Sequence, residues 1–137
     1  MTDITSLDAL RALYDPVRER SAKKELPQLD AHAMRLVGLS PFVVVGSGHA
    51  VTGAHDASPR GGAPGFVRTP DAHTLLLPDA PGNNRLDTLE NVVSHGAAGA
   101  PVGLLFLLPG MDETLRVNGR GWLSTDVMDA VAHYLGM

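Results

Sequence analysis

The stretch VGLLFLLPGMDETLRVNGRGWLS, residues 102–124, predicts two antiparallel strands joined by a tight turn. Residues 102–108 form a continuous apolar run of strand length, and Pro109-Gly110 is a turn signal. Polar and apolar residues alternate over residues 113–124, which indicates a strand with one buried face. The alternation places Thr114, Arg116, Asn118 and Arg120 on one face, and Leu115 and Val117 on the other.

Further strands are expected on both sides of this hairpin. Residues 42–46, FVVVG, form a second apolar run that predicts a strand buried on both faces. Shorter strands are predicted over residues 54–58, 65–69 and 74–77. Because consecutive strands are joined by short turns, antiparallel pairing should dominate, and a closed or partly closed barrel would remove the sheet edges. The sequence predicts a mainly β fold of six strands with flanking helices.

The chain has the length of a single domain, at 137 residues. Residues 1–40 are predicted to be helical, with Ser6 and Asp30 as helix caps and a further exposed helix over residues 17–25. Residues 41–124 should form the β core, with one inserted helix at about residues 85–95. Residues 125–137 are predicted to form an amphipathic C-terminal helix that begins at Asp126.

Composition excludes several classes of function. The chain has no cysteine, which excludes disulfides, thiolate zinc sites and cysteine nucleophiles. Its net charge of −4 argues against nucleic-acid binding driven by phosphate neutralisation. No apolar run is long enough to span a membrane, and no histidine or acidic cluster has a recognised metal-binding spacing. Acidic residues near the N-terminus do not fit a secretory signal, so a cytoplasmic location is expected.

Residues 58–67, SPRGGAPGFV, are the first candidate for a binding site, because the fold alone does not explain their composition. Ser58 offers a hydroxyl donor and Arg60 a guanidinium beside it, and the glycines that follow let a ligand approach the backbone closely. This stretch is either part of a binding site or an ordinary turn with a surface arginine.

Residues 81–87, PGNNRLD, form the second candidate, where a loop enters a helix. Free backbone N–H groups and the positive end of the helix dipole favour an anion there, and Asn83, Asn84 and Arg85 would add donors. The alternative is a helix capped by Asn83 or Asn84 with nothing bound.

The third candidate is the polar face of the strand over residues 113–124, where Arg116 and Asn118 lie side by side. This face is either solvated or lines a groove for an anionic ligand.

Five segments in the same order resemble the pyridoxamine 5′-phosphate oxidase-related, FMN-binding split-barrel proteins, in particular a bacterial subgroup whose members are mostly uncharacterised. The segments are residues 58–61, 64–67, 81–87, 102–106 and 115–119. The resemblance implies a six-stranded antiparallel split β-barrel that forms a homodimer and holds FMN between its subunits. It assigns the FMN phosphate to Ser58, Arg60, Asn83, Asn84 and Arg85, and places Arg116 and Asn118 near the flavin or the partner subunit.

The chain departs from this family in two places. Residues 94–101 are longer and richer in glycine and alanine than the family's turn before the next strand. Family members also continue past the last predicted helix into a further strand and a basic, tryptophan-containing tail, whereas this sequence ends at Met137.

Three functions are consistent with these patterns. The first is an FMN-dependent oxidoreductase with an unassigned small-molecule substrate, since no side chain stands out as an obligatory acid or base. The second is a non-catalytic binder or carrier of flavin or a haem-type cofactor. The third is a dimeric scaffold that has lost flavin binding together with the tail.

Overall fold

The computed structural model describes residues 2–15, 26–79, 86–124 and 131–133. The fold is mainly β with a few helices, as predicted, and no helix in the described ranges is long and apolar enough to cross a membrane. The helices are α1 (Leu7–Arg11), α2 (Ala31–Leu39) and α3 (Asp87–Ser94), followed by a short 3-10 helix (Gly96–Ala98). The strands are β1 (Phe42–Gly48), β2 (His55–Gly61), β3 (Arg68–Asp71), β4 (Thr74–Pro78), β5 (Ala100–Leu107), β6 (Thr114–Ser124) and β7 (Val131–His133).

Both predicted N-terminal caps are confirmed. The Ser6 hydroxyl accepts a hydrogen bond from the backbone N–H of Ala9 at 3.1 Å, and the Asp30 carboxylate accepts one from Ala33 at 2.7 Å. Helix α2 buries three residues against the sheet, whereas α1 buries none. The exposed helix predicted over residues 17–25 lies outside the described residues.

The strands pair antiparallel in the order β2-β1-β5-β6-β7-β4-β3. Strand β7 is one more than the six expected, and it lies where the sequence predicts a C-terminal helix. That prediction is wrong at residues 131–133, which pair with β6 on one side and β4 on the other. The physical reason is that the backbone donors and acceptors of β4 and β6 need partners, and this pairing outweighs a weak helical periodicity.

Alternation along paired strands creates one buried face. Val43 of β1 lies opposite Phe106 of β5, and Leu104 of β5 lies opposite Val117 of β6. All four side chains belong to the buried core, which also includes Leu75 of β4. Three strands separate β1 from β4 in the sheet order, yet Val43 and Leu75 belong to one core, so the sheet curves.

The opposite face of β1 and β5 is not buried, and the expectation that β1 would be buried on both faces is wrong. Four apolar residues on this outer face, here called the outer apolar patch, are only half-buried. They are Phe42, Val44, Leu105 and Leu107.

The glycine-rich loop before β5 packs beneath a tryptophan. Gly99 has a φ of 81°, and a Cβ there would lie 2.5 Å from Cε2 of Trp122. The Trp122 indole N–H donates to the carbonyl of Ala97 at 3.0 Å. Only glycine combines this positive φ with so close an approach, which accounts for glycine at position 99.

Substitutions on neighbouring positions of β6 test its orientation. Val117→Ala should lower the free energy of unfolding by about 1–3 kcal/mol, because it opens a cavity beside Phe106 and Leu104. Arg116→Ala should change it by less than about 0.5 kcal/mol, since this side chain is exposed. Urea denaturation of both variants measures the difference, and the reverse order of effects would show that the two faces are assigned wrongly.

Candidate functional site

Ser58 and Arg60 lie together on the inner face of β2. They stand opposite Val45 and Val43 of β1, whose side chains are in the core. The Arg60 Nε–H donates to the Ser58 hydroxyl oxygen at 3.2 Å. The hydroxyl therefore keeps its own hydrogen for another acceptor, and the described residues supply none. Two predicted site residues thus form a small group of donors that faces inward.

Arg60 also forms an ion pair with Asp79, which directly follows β4. Nη1 of Arg60 donates to Oδ1 of Asp79 at 2.6 Å, and the two side chains are 19% and 29% exposed. Because β2 and β4 lie near opposite ends of the sheet order, this pair connects the two ends through side chains. Sequence reasoning missed Asp79, although an acidic residue at the end of a strand was visible.

The second candidate segment follows Asp79 in the sequence. Asn83, Asn84 and Arg85 lie outside the described residues, but Asp79 precedes Asn83 by only four positions. The contact between Arg60 and Asp79 therefore brings the first candidate stretch to the start of the loop that carries the second.

The helix after this loop differs from its prediction. Helix α3 begins at Asp87 with Leu86 at the N-cap position and no side-chain cap, two residues after the predicted start at Arg85. The expected cap residues Asn83 and Asn84 lie outside the described residues. Asp87 and Glu90 occupy the first turn. These carboxylates already satisfy the positive end of the helix dipole and would repel a second anion there. The described helix start therefore favours an anion less than the sequence suggested.

Arg116 and Asn118 lie on the outer face of β6, as the alternation predicted. They stand opposite Leu105 and Gly103 of β5, and both are exposed. Oδ1 of Asn118 would lie 3.2 Å from a Cβ at Gly103, so the amide rests over this glycine. Within the described ranges neither side chain makes a hydrogen bond. The structure therefore does not bring them together with Ser58 and Arg60, which occupy the opposite face.

A buried polar contact fastens α3 to the sheet. The Asn91 amide donates to the Ser47 hydroxyl at 3.0 Å, and both residues are buried. At the rim, the Thr88 hydroxyl donates to Asp56 at 3.4 Å. The sequence contains one signal for this contact. Ser47 continues the inward positions of Val43 and Val45 along β1, and a buried hydroxyl requires a hydrogen-bond partner. These residues position α3 relative to β1 and β2.

A shallow surface groove of about 490 Å³ lies between α3 and the turn after β1. Its walls are mostly apolar, and no predicted site residue in the described ranges lines it. The residues that line it are His49, Leu86, Leu89, Glu90, Val93 and Ser94.

The histidines of the described ranges serve mainly as local hydrogen-bond partners. Nδ1 of His49 accepts from the backbone N–H groups of Val51 and Thr52, so this nitrogen carries no proton. Nε2 of His95 lies 2.9 Å from the carbonyl of Gly48 and donates to it. The described residues contain no group of three or more histidine, aspartate or glutamate side chains that could hold a metal ion.

The comparisons with known proteins give information on the fold alone. No protein-family model matches the sequence, and no curated protein matches it. Among solved structures, two of HupZ from Group A Streptococcus, one of them a point variant, are similar with TM-scores of 0.60 and 0.58. Each is 13% identical to this chain and covers 80% of it, with 95% and 90% of the HupZ chain covered.

A third structure is that of a candidate pyridoxamine 5′-phosphate oxidase from Lactobacillus delbrueckii. It has a TM-score of 0.55 and 14% identity, and the match covers 82% of this chain and 92% of the other. The structural likeness agrees with the segments that suggested the family from sequence. This chain therefore shares the fold of the pyridoxamine 5′-phosphate oxidase-like proteins.

Proposed function

We propose that this protein binds FMN as a homodimeric split barrel and acts as an FMN-dependent oxidoreductase. The observation that carries the proposal is the contact between Arg60 and Asp79 at 2.6 Å, in a chain with a pyridoxamine 5′-phosphate oxidase-like fold. Because Asp79 precedes Asn83 by four positions, we expect this contact to bring Ser58 and Arg60 near Asn83, Asn84 and Arg85, which lie outside the described residues. Donors from two distant parts of the sequence would then converge on one phosphate.

The donors of the described residues fit a phosphate group. Arg60 uses Nε and Nη1 for Ser58 and Asp79, and its Nη2 makes no hydrogen bond within the described ranges. The Ser58 hydroxyl hydrogen is available beside it. A guanidinium edge and a hydroxyl are suited to phosphate oxygens, because charge-assisted hydrogen bonds to them are short and strong. Bound FMN would supply the electron chemistry, while these side chains bind and orient it.

The proposed homodimer follows from the outer apolar patch and the placement of the polar residues. Contact with a second copy of the chain would remove the outer apolar patch from water. The patch consists of Phe42, Val44, Leu105 and Leu107. Arg116 and Asn118 border this patch on β6. They would therefore face the partner subunit and not Ser58 and Arg60 of their own chain. Under this proposal the site residues on the two faces of the sheet would come from different subunits, with FMN held between them.

The first prediction concerns assembly. Light scattering at micromolar concentration should give about twice the chain mass of 14.4 kDa, with an interface of roughly 1,600 Å² or more. Leu105→Arg should shift the protein towards the monomer, because it places a charge in the centre of the patch. Val51→Arg, at a residue that is 86% exposed in a turn, is the control and should leave the mass unchanged. A monomeric wild-type protein would contradict the proposed dimer.

The second prediction concerns the phosphate. Arg60→Ala and Arg85→Ala should each weaken FMN binding about ten- to hundredfold, the effect of losing a charge-assisted contact. Arg35→Ala is the control, because it removes an arginine side chain from an exposed position on α2, and it should leave the affinity for FMN unchanged. Titration of FMN fluorescence measures all three. Equal affinities for the three variants would rule out these arginines as phosphate ligands.

A non-catalytic flavin carrier is the second candidate. The described side chains that contact one another on the inner face are Ser58, Arg60 and Asp79. None of them is positioned as a general acid, which favours a carrier. Rapid oxidation of a nicotinamide or pyridoxal-type donor by the flavin-loaded protein would identify an enzyme, whereas bound flavin that no such donor reduces would identify a carrier. The geometry of His49 and His95 does not separate flavin from a haem-type cofactor, because each uses one ring nitrogen in a local hydrogen bond and keeps the other.

A further inference from the structure

The ion pair between Arg60 and Asp79 has two unequal members. Arg60 is held within β2, where its backbone stands opposite Val43 and its Nε is fixed by Ser58. Asp79 lies outside the strand ladder, one residue past the end of β4 at Pro78. Apart from Arg60, its side chain has no hydrogen-bond partner within the described ranges. Arg60 is therefore the fixed member of the pair, and Asp79 is the member that can move away.

If a phosphate binds the Nη1–Nη2 edge of the Arg60 guanidinium, one of its oxygens takes the position that the Asp79 carboxylate occupies. Carboxylate and phosphate oxygens both bind the N–H groups of a guanidinium in the same plane, so the two compete for Nη1. The pair is only 19% and 29% exposed, which limits solvent screening of the charges. An incoming phosphate would meet an arginine already neutralised by a carboxylate, and it would be repelled by that carboxylate until Asp79 moves.

We propose that Asp79 is an internal competitor that controls access of anions to Arg60. A phosphate ester with two negative charges displaces Asp79 from Nη1, whereas a singly charged anion does not gain enough to do so. This inference rests on the proposed function, in which Arg60 binds the FMN phosphate. It adds a specificity residue that the resemblance to the family does not assign, and it predicts that removing an acidic side chain improves ligand binding.

The test is the substitution Asp79→Asn, which keeps the shape of the side chain and an acceptor oxygen but removes the charge. Affinity for FMN and for inorganic phosphate, measured by calorimetry, should each increase about tenfold. Asp112→Asn changes the net charge equally at an exposed residue and should leave both affinities unchanged. Asp79→Glu retains the charge and should resemble the wild type.

The outcomes separate this inference from the proposed function. Tighter phosphate binding by Asp79→Asn without FMN binding by any variant would support the competitor and contradict the FMN proposal. Unchanged or weaker affinity, together with a lower melting temperature, would show that the pair only fastens the sheet ends and would overturn the inference. If Asp79→Asn does not fold, the carbon chemical shift of the Asp79 carboxyl in the wild-type protein tests the inference instead. This chemical shift should change saturably as phosphate is added, and an unchanged value while phosphate binds would overturn the inference.

Discussion

The register between β1, β5 and β6 is the constraint on which the rest of the structure depends. Because side chains alternate along each strand, pairing Val43 with Phe106 and Leu104 with Val117 fixes every other position of three neighbouring strands. One face becomes the core, and the other carries the outer apolar patch. A slip of one residue would expose the core and bury Arg116, so packing and register support each other.

The same register divides the candidate site residues between the two faces. Ser58 and Arg60 share the inner face with the core, whereas Arg116 and Asn118 share the outer face with the apolar patch. A single chain cannot gather them around one ligand. The proposed cofactor site between two subunits would reconcile this division, since the outer face of one protomer would then meet its partner. The ion pair between Arg60 and Asp79 adds the remaining connection, from the inner face to the loop before α3.

Much of this fold follows from local sequence patterns, because alternation and helix capping depend on neighbouring residues. The hairpin of β5 and β6, the Asp30 cap and the exposure of Arg116 are of this kind. What sequence could not reveal depends on contacts between distant residues. Strand β7 exists because β4 and β6 both offer it backbone partners, and the pairing of Arg60 with Asp79 across 19 positions requires the sheet to curve. The candidate residues could be chosen from local patterns. Their division between two faces could not, because it depends on how distant strands pair.

The most direct test of the account is a comparison of FMN with riboflavin, which has the same ring system and lacks the phosphate. Calorimetric titration of the wild-type protein with each ligand isolates the contribution of the phosphate contacts. If the inner-face donors and the adjoining loop bind the phosphate, FMN should bind at least about tenfold more tightly than riboflavin. Equal affinities for the two ligands, or binding of neither, would contradict the account.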